Sequence, residues 1–261
     1  MRGPRAAGRS LGGYARGGAV ALGILLALLV WELAARQAGP LLLPTPGEVL
    51  GALWRERSRL LGATGQTAMA AELGLSLAIL TGISTAAVSF SSRFGGGVLA
   101  PWLVALQVVP IVAIAPLLVV WLGYGLPVAT TTAWLASVYP VHAATRTGLG
   151  APSQDQVDLL RLYGATPLRV LRDLRLMAAL PALFAGFRVA AGLSVIGAII
   201  GEFQGSNGVP PTLGQLVVYT ARSAKTDLCF AAIVCAAGLA ASLQAGISVL
   251  ERVAIGGWYG R

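Results

Sequence analysis

About half of this chain consists of apolar runs about twenty residues long, the length a helix needs to cross a bilayer. There are six of them, from about Gly17 to Ala35, Ala68 to Phe90, Val98 to Leu122, Leu126 to Ala144, Ala182 to Ile200 and Leu228 to Leu250. A chain inside hydrocarbon must satisfy every backbone N–H and C=O by itself, and for single runs of this length the α-helix does so. The composition agrees, with 56% hydrophobic and only 11% charged residues and a mean hydropathy of +0.76. The expected fold class is an all-α integral membrane protein with six transmembrane helices.

Residues 1–18 are rich in Arg and Gly and lead into the first run. That order also describes a secretory signal, but the run is long enough to span and no clean A-x-A site follows, so it predicts a retained first span. Gly39 to Pro46 is a proline-rich turn, and Gly47 to about Leu61 predicts a short amphipathic helix with Trp54 near the interface. The third run contains Pro101, Pro110 and Pro116. Each proline interrupts the backbone ladder, which is tolerated where neighbouring helices or a water-filled cavity satisfy the freed carbonyls, so this span is expected to line something.

With the N-terminus inside, the outer side holds only Arg36, Arg55, Arg57, Arg59, Arg222 and Lys225 of the 19 Lys and Arg residues. The excess of inner cations favours six spans with both termini cytoplasmic. The net charge of +9 then reports orientation and lipid contact, and no basic face outside the membrane flanks supports nucleic-acid binding.

Between the fourth and fifth runs lies a charged island, Ser153 to Gly186, with Asp155, Asp158, Arg161, Arg169, Arg172, Asp173 and Arg175. At about 2.5–3.5 kcal/mol per ionised group in a bilayer core, this segment belongs in water or against another protein. Ser153 and Gln156 fit a capping box for a first helix, and Gly164 fits the left-handed position that ends it. Thr166 then caps a second helix with Pro167 at its first position. Leu159, Leu160 and Tyr163 on the first helix, and Leu168, Leu171 and Leu174 on the second, are expected to form one oily face each.

Catalytic chemistry finds little support. No G-x-x-x-x-G-K-[ST] occurs, and Lys225 lacks the glycines that cradle phosphate, so the chain does not carry a P-loop. His142 is the only histidine, with no carboxylate near it in sequence and no G-x-S-x-G. Cys229 and Cys235 lie in an apolar run without a metal-ligand pattern. Glu32, Glu202 and Glu251 lie near the ends of runs, and Glu72 lies early in its own, unlike the mid-membrane carboxylate of a proton-coupled carrier. Small-residue spacings at Gly197 and Gly201, and at Gly238, Ser242 and Gly246, predict close helix packing.

The island resembles the EAA loop of ABC-importer membrane subunits through Asp158-Leu159-Leu160-Arg161, Gly164-Ala165-Thr166, Leu180-Pro181 and Gly186-Phe187-Arg188. Asp158 stands where the family usually has Glu, and Leu159-Leu160 where it has Ala-Ala, so charge is kept while bulk increases. The likeness extends to Leu43-Pro44-Thr45-Pro46, Val109-Pro110, Pro116-Leu117 and Trp121-Leu122-Gly123-Tyr124-Gly125. Together these resemble the permease branch serving nitrate, aliphatic sulfonates, taurine and related small solutes. Where relatives read Gly-Leu-Gly after the fifth span, this chain reads Gly208-Val209-Pro210-Pro211-Thr212-Leu213-Gly214.

The resemblance implies a type I importer permease: a cytoplasmic tail (1–18), a six-span domain (19–250) whose coupling loop covers about 150–181, and a cytoplasmic tail (251–261). It implies that Asp158, Leu159, Leu160, Arg161, Gly164, Ala165 and Thr166 contact an ATP-binding subunit, and that Pro110, Pro116, Trp121 and Glu202 belong to the pathway or gate. It also implies two ATP-binding subunits that hold ATP and Mg, a second permease copy, and an extracytoplasmic solute-binding protein. The chain itself would bind no cofactor or metal, would not be an enzyme, and would reside in the inner or plasma membrane. An ATP-independent carrier or channel is the alternative expectation.

Overall fold

The computed structural model describes residues 11–91, 93–205 and 211–259, and among these every regular element is helical. Inter-residue contacts group the chain into two units, residues 1–57 with 219–231, and residues 58–218 with 232–261.

In the first unit, α1 (Leu11–Ala38) presents leucines and valines outward along its length, including Leu25, Leu29 and Val30. Trp31 anchors its later part, donating from Nε1 to the Pro44 carbonyl (3.0 Å) and stacking obliquely near Phe230. A capping box opens α2 (Pro46–Arg55): Thr45 accepts from the Glu48 N–H while the Glu48 carboxylate accepts from the Thr45 N–H. The predicted amphipathic helix thus ends at Arg55, and Arg57, Arg59 and Leu61 open the next, longer helix. Trp54 stays exposed, with the Arg57 guanidinium 4.7 Å from its ring centroid.

The second unit contains most of α3 (Arg57–Ser91), then α4 (Arg93–Val108), α5 (Ile111–Leu122) and α6 (Leu126–Leu149). The third apolar run is not one continuous helix: α4 and α5 meet at a bend of 100°. Pro110 is the cause, because it lacks an N–H and disfavours helical backbone at Val109 before it. Among the described residues four helices are long and apolar enough to cross a membrane, or up to five if the bent pair counts as one span.

After α7 (Gln154–Leu162) come α8 (Pro167–Arg169), a π-helical turn (Val170–Arg175) and α9 (Leu176–Glu202). These last three form one continuous 36-residue helical stretch. The second helix of the charged island is therefore the first turns of the long helix that continues as α9 and not a separate short helix. No glycine interrupts residues 167–185, and Pro181 is accommodated inside α9. A further helix, α10 (Leu213–Arg222), precedes the last, α11 (Thr226–Tyr259).

The core of this unit is the seam between α6 and α9, where backbones nearly touch. A Cβ on Gly197 would lie 2.5 Å from the Thr132 carbonyl oxygen, and one on Gly201 would lie 2.4 Å from Thr132 Oγ1. Around them pack Ala129, Ala133, Val195 and Ala198, all buried. The expected close packing at Gly197 and Gly201 is present. That expected at Gly238 and Gly246 is not: a Cβ at either position would meet nothing within 4 Å, because that face of α11 points away from the rest of its unit.

Candidate functional site

The turn between α7 and α8 is fixed by local hydrogen bonds at each end. Ser153 Oγ accepts from the Gln156 N–H (3.3 Å) and Gln156 Oε1 accepts from the Ser153 N–H (3.0 Å), closing a capping box. At the other end Gly164 has φ +79°, a left-handed conformation that glycine adopts without strain. Its N–H donates to the Arg161 carbonyl (2.9 Å) and the Ala165 N–H to the Leu160 carbonyl (3.1 Å), a Schellman pair that stops α7. Thr166 Oγ1 then accepts from the Arg169 N–H (3.4 Å), with Pro167 at the first helical position.

The apolar face differs from the sequence expectation. Val157 and Val170 are the buried residues of this region, with Leu160, Leu171 and Leu174 half-buried beside them. Leu159, Leu162, Tyr163 and Leu168 are exposed, Leu162 by 84% and Tyr163 by 81%. Periodicity identified stripes, but Val157 lies on the stripe that faces inward and Tyr163 on the one that does not. Asp158 is exposed, accepts from Gln154 Nε2 (3.1 Å) and pairs with Arg161 at 3.5 Å. Ala165 is half-buried, and Thr166 is exposed.

The turn is tied to the helices behind it. Arg175, in the π-helical turn, donates to the Leu149 carbonyl at the end of α6 (2.8 Å), and its guanidinium lies 4.8 Å from the Phe90 ring centroid. Through Arg175 the base of the turn is in contact with α3, α6 and α9.

The expected pathway residues fall into two groups. Pro110, Pro116 and Trp121 lie on or beside α5 and are exposed, Trp121 by 66%. Glu202 is elsewhere and, although it ends the fifth apolar run, it is buried, only 3% exposed. Its Oε2 accepts from Thr67 Oγ1 (3.1 Å) and from the Gly214 N–H (2.9 Å), while Thr67 Oγ1 accepts from the Leu213 N–H (3.0 Å). The carboxylate therefore ties the end of α9 to α3 and to the first turn of α10, where it accepts the orphan N–H of Gly214 while Thr67 accepts that of Leu213. Sequence reasoning missed Thr67, Leu213 and Gly214. Thr67 lies 135 residues from Glu202, a separation across which no local signal operates. Residues 206–210, which include Gly208, Val209 and Pro210 of the variant loop, lie outside the described residues.

The family described as "Binding-protein-dependent transport system inner membrane component" matches residues 78–253, which include the turn, the seam and Glu202. The chain belongs to this family. The permease is 36% identical over 214 residues to a probable ABC transporter permease protein of Haemophilus influenzae, covering 81% of this chain and 85% of that protein. It is 31% identical over 185 residues to the formylaminopyrimidine transport permease protein ThiX of Halalkalibacterium halodurans (70% and 74%). It is 29% identical over 247 residues to the taurine transport system permease protein TauC of Escherichia coli (89% and 87%). These findings make it an ABC-importer permease of the nitrate, sulfonate and taurine type: a multi-pass membrane transport subunit and not an enzyme, with ATP hydrolysed by a separate subunit.

Proposed function

We propose that this permease forms the translocation pathway for a small solute and is driven through the turn Asp158 to Thr166, which docks on an ATP-binding subunit. The observation that carries the reading is the combination of an exposed apolar surface, Leu159, Leu162, Tyr163 and Leu168, with a backbone locked by two caps and a left-handed glycine. A rigid, exposed, partly apolar turn suits a socket on a partner. Its covalent continuity with α9 gives partner motion a lever on the membrane helices.

In this reading α1, α3, the α4–α5 pair, α6, α9 and α11 are the six spans. At 24 residues α6 is about 36 Å long, enough to cross. The termini and the turn face the cytoplasm, with residues 1–18 and 251–261 as tails around the six-span domain. A second permease copy completes the pathway, two ATP-binding subunits supply ATP and Mg, and a solute-binding protein delivers the solute from outside. The chain binds no cofactor itself. Pro110, Pro116 and Trp121 on the bent α4–α5 pair face the pathway, and Glu202 holds its outer end. The solute belongs with those named for the relatives: taurine, aliphatic sulfonates, bicarbonate or a small heterocycle such as formylaminopyrimidine.

The test is a mild-detergent pull-down of the tagged chain from its native membrane, with mass spectrometry and an ATPase assay on the eluate. A P-loop ATPase should co-purify and be lost when Asp158→Ala and Gly164→Val are combined. An eluate without an ATPase, when a control importer survives the same detergent intact, overturns the coupling reading.

A further inference from the structure

A cavity of about 210 Å³ lies beside the later half of α6, lined by Val104, Tyr139, His142, Ala143, Arg146 and Thr147. The five α6 positions are spaced three and four apart, so they share one face of the helix. We propose that this cavity is an oxyanion-binding site in which Arg146 holds the charge and Tyr139, His142 and Thr147 orient the ligand.

Among the described residues Tyr139, Arg146 and Thr147 carry no partner, whereas four other hydroxyls of the same helix do, and His142 is paired to Thr85 on one side only; outside the cavity Thr130 Oγ1 is also without a partner. Thr131, Thr132, Ser137 and Thr145 on α6 each donate to the carbonyl four residues back, the usual resting place for a hydroxyl in a membrane helix. Among the described residues, the Thr147 and Tyr139 hydroxyls and the Arg146 guanidinium have no hydrogen-bond or ion-pair partner; Tyr139 is half-buried, while Arg146 and Thr147 are exposed and open to water or a ligand. Arginine carries five donors and no acceptor, and in a membrane helix it pairs with an acid or marks an ion pathway. Snorkelling to the interface accounts for an arginine three residues from a helix end, but not for three further polar groups turned to the same cavity.

His142 narrows the ligand further. Thr85 Oγ1 lies 2.8 Å from the Thr81 carbonyl and 3.1 Å from that of Gly82, which commits its single proton. The hydroxyl oxygen therefore accepts from His142 Nδ1–H at 3.1 Å. In the neutral imidazole this leaves the Nε2 lone pair open. The best-matched ligand thus combines anionic oxygens for Arg146, Tyr139 and Thr147 with one O–H or N–H for Nε2. The cavity, about 210 Å³ and open on one side, has room for a solute of a few heavy atoms.

Both a transported solute and a phospholipid headgroup offer this chemistry, and the experiment separates them. Full-length chain, purified in neutral detergent and stripped of lipid, is titrated with isethionate at constant ionic strength against chloride, with binding read by calorimetry. Phosphatidylglycerol retention is read in parallel by native mass spectrometry. Saturable isethionate binding that Arg146→Gln weakens about tenfold or more supports the site with a solute as its source. Saturable phosphatidylglycerol retention that the same substitution abolishes, without isethionate binding, supports it with a lipid as its source.

Thr147→Val, which removes one hydroxyl at nearly constant shape, should weaken the same signal about threefold and serves if the arginine variant does not accumulate. Binding of neither probe, or binding that both substitutions leave unchanged, overturns the proposal. A role in transport rests on the permease reading above, but binding does not: loss of the ATPase partner with isethionate binding intact strikes only the coupling reading, and loss of binding in a complex that still hydrolyses ATP strikes only this site.

Discussion

In the turn at 153–169 each fixed point is made by residues within five positions of one another: Ser153 with Gln156, Leu160 with Ala165, Thr166 with Arg169. In the α6–α9 seam the fixed points join residues more than thirty positions apart, from Gly148 against Ala179 to Gly197 against Thr132. The turn holds its shape by hydrogen bonds and leaves its side chains free for a partner. The seam holds by contact distance and leaves no room for a side chain. Damage to the seam should therefore appear as lost protein, and damage to the turn as lost coupling in a protein that still folds.

The largest effect is expected from Gly197→Val. Its Cβ would be placed 2.5 Å from the Thr132 carbonyl and 2.7 Å from the Ala133 Cα, against backbone that cannot rotate away. Overpacking typically costs about 1–3 kcal/mol and sometimes more; with backbone on the far side of the clash the upper end is expected, so thermal unfolding in detergent should show a large drop and membrane yield should collapse. A variant with parental stability would mean the seam opens easily, and the contrast with the turn would fail. A smaller loss follows from Glu202→Ala, which leaves the Gly214 N–H and the Thr67 hydroxyl buried without their acceptor. At about 1–3 kcal/mol per orphaned group, the melting temperature should fall, with α10 the first element to lose hydrogen-exchange protection. Uniform loss of protection across α3, α9 and α10 would instead make Glu202 part of the seam's own cooperative unit.

How far each region could be read from sequence follows the same division. Ser153, Gly164, Thr166 and Pro167 announce their backbone roles because a cap or a left-handed residue is a matter of a few neighbours. The direction of the turn's apolar face was not legible, since Leu159, Tyr163 and Leu168 are as apolar as Val157 and Val170, and only the packing behind them decides which are buried. The prolines of the third run marked an interruption, but a 100° bend depends on what lies on either side of Pro110. Glu202 looks in sequence like any charge that ends an apolar helix. Its burial depends on Thr67 and on α10, which arrive from distant parts of the chain. The small residues at Gly197 and Gly201 were legible as packing sites, while the same pattern at Gly238 and Gly246 is unoccupied within the chain.

The smallest effect should come from Ser153→Ala, and it sharpens the comparison best because it leaves the seam untouched. The substitution removes the acceptor for the Gln156 N–H in an exposed helix of nine residues. Loss of such a cap costs about 1 kcal/mol, but the cost falls on α7 alone, so global unfolding in detergent should move little. Hydrogen exchange should rise across Gln154–Leu162 while α6 and α9 stay protected. If the turn works by being rigid, ATPase stimulation in the assembled complex should fall with the fraying of α7, although the exposed residues Leu159, Leu162 and Tyr163 are all still present. Unchanged stimulation with a frayed α7 would show that the partner's socket imposes the helix on binding, and that the surface matters more than its preorganisation.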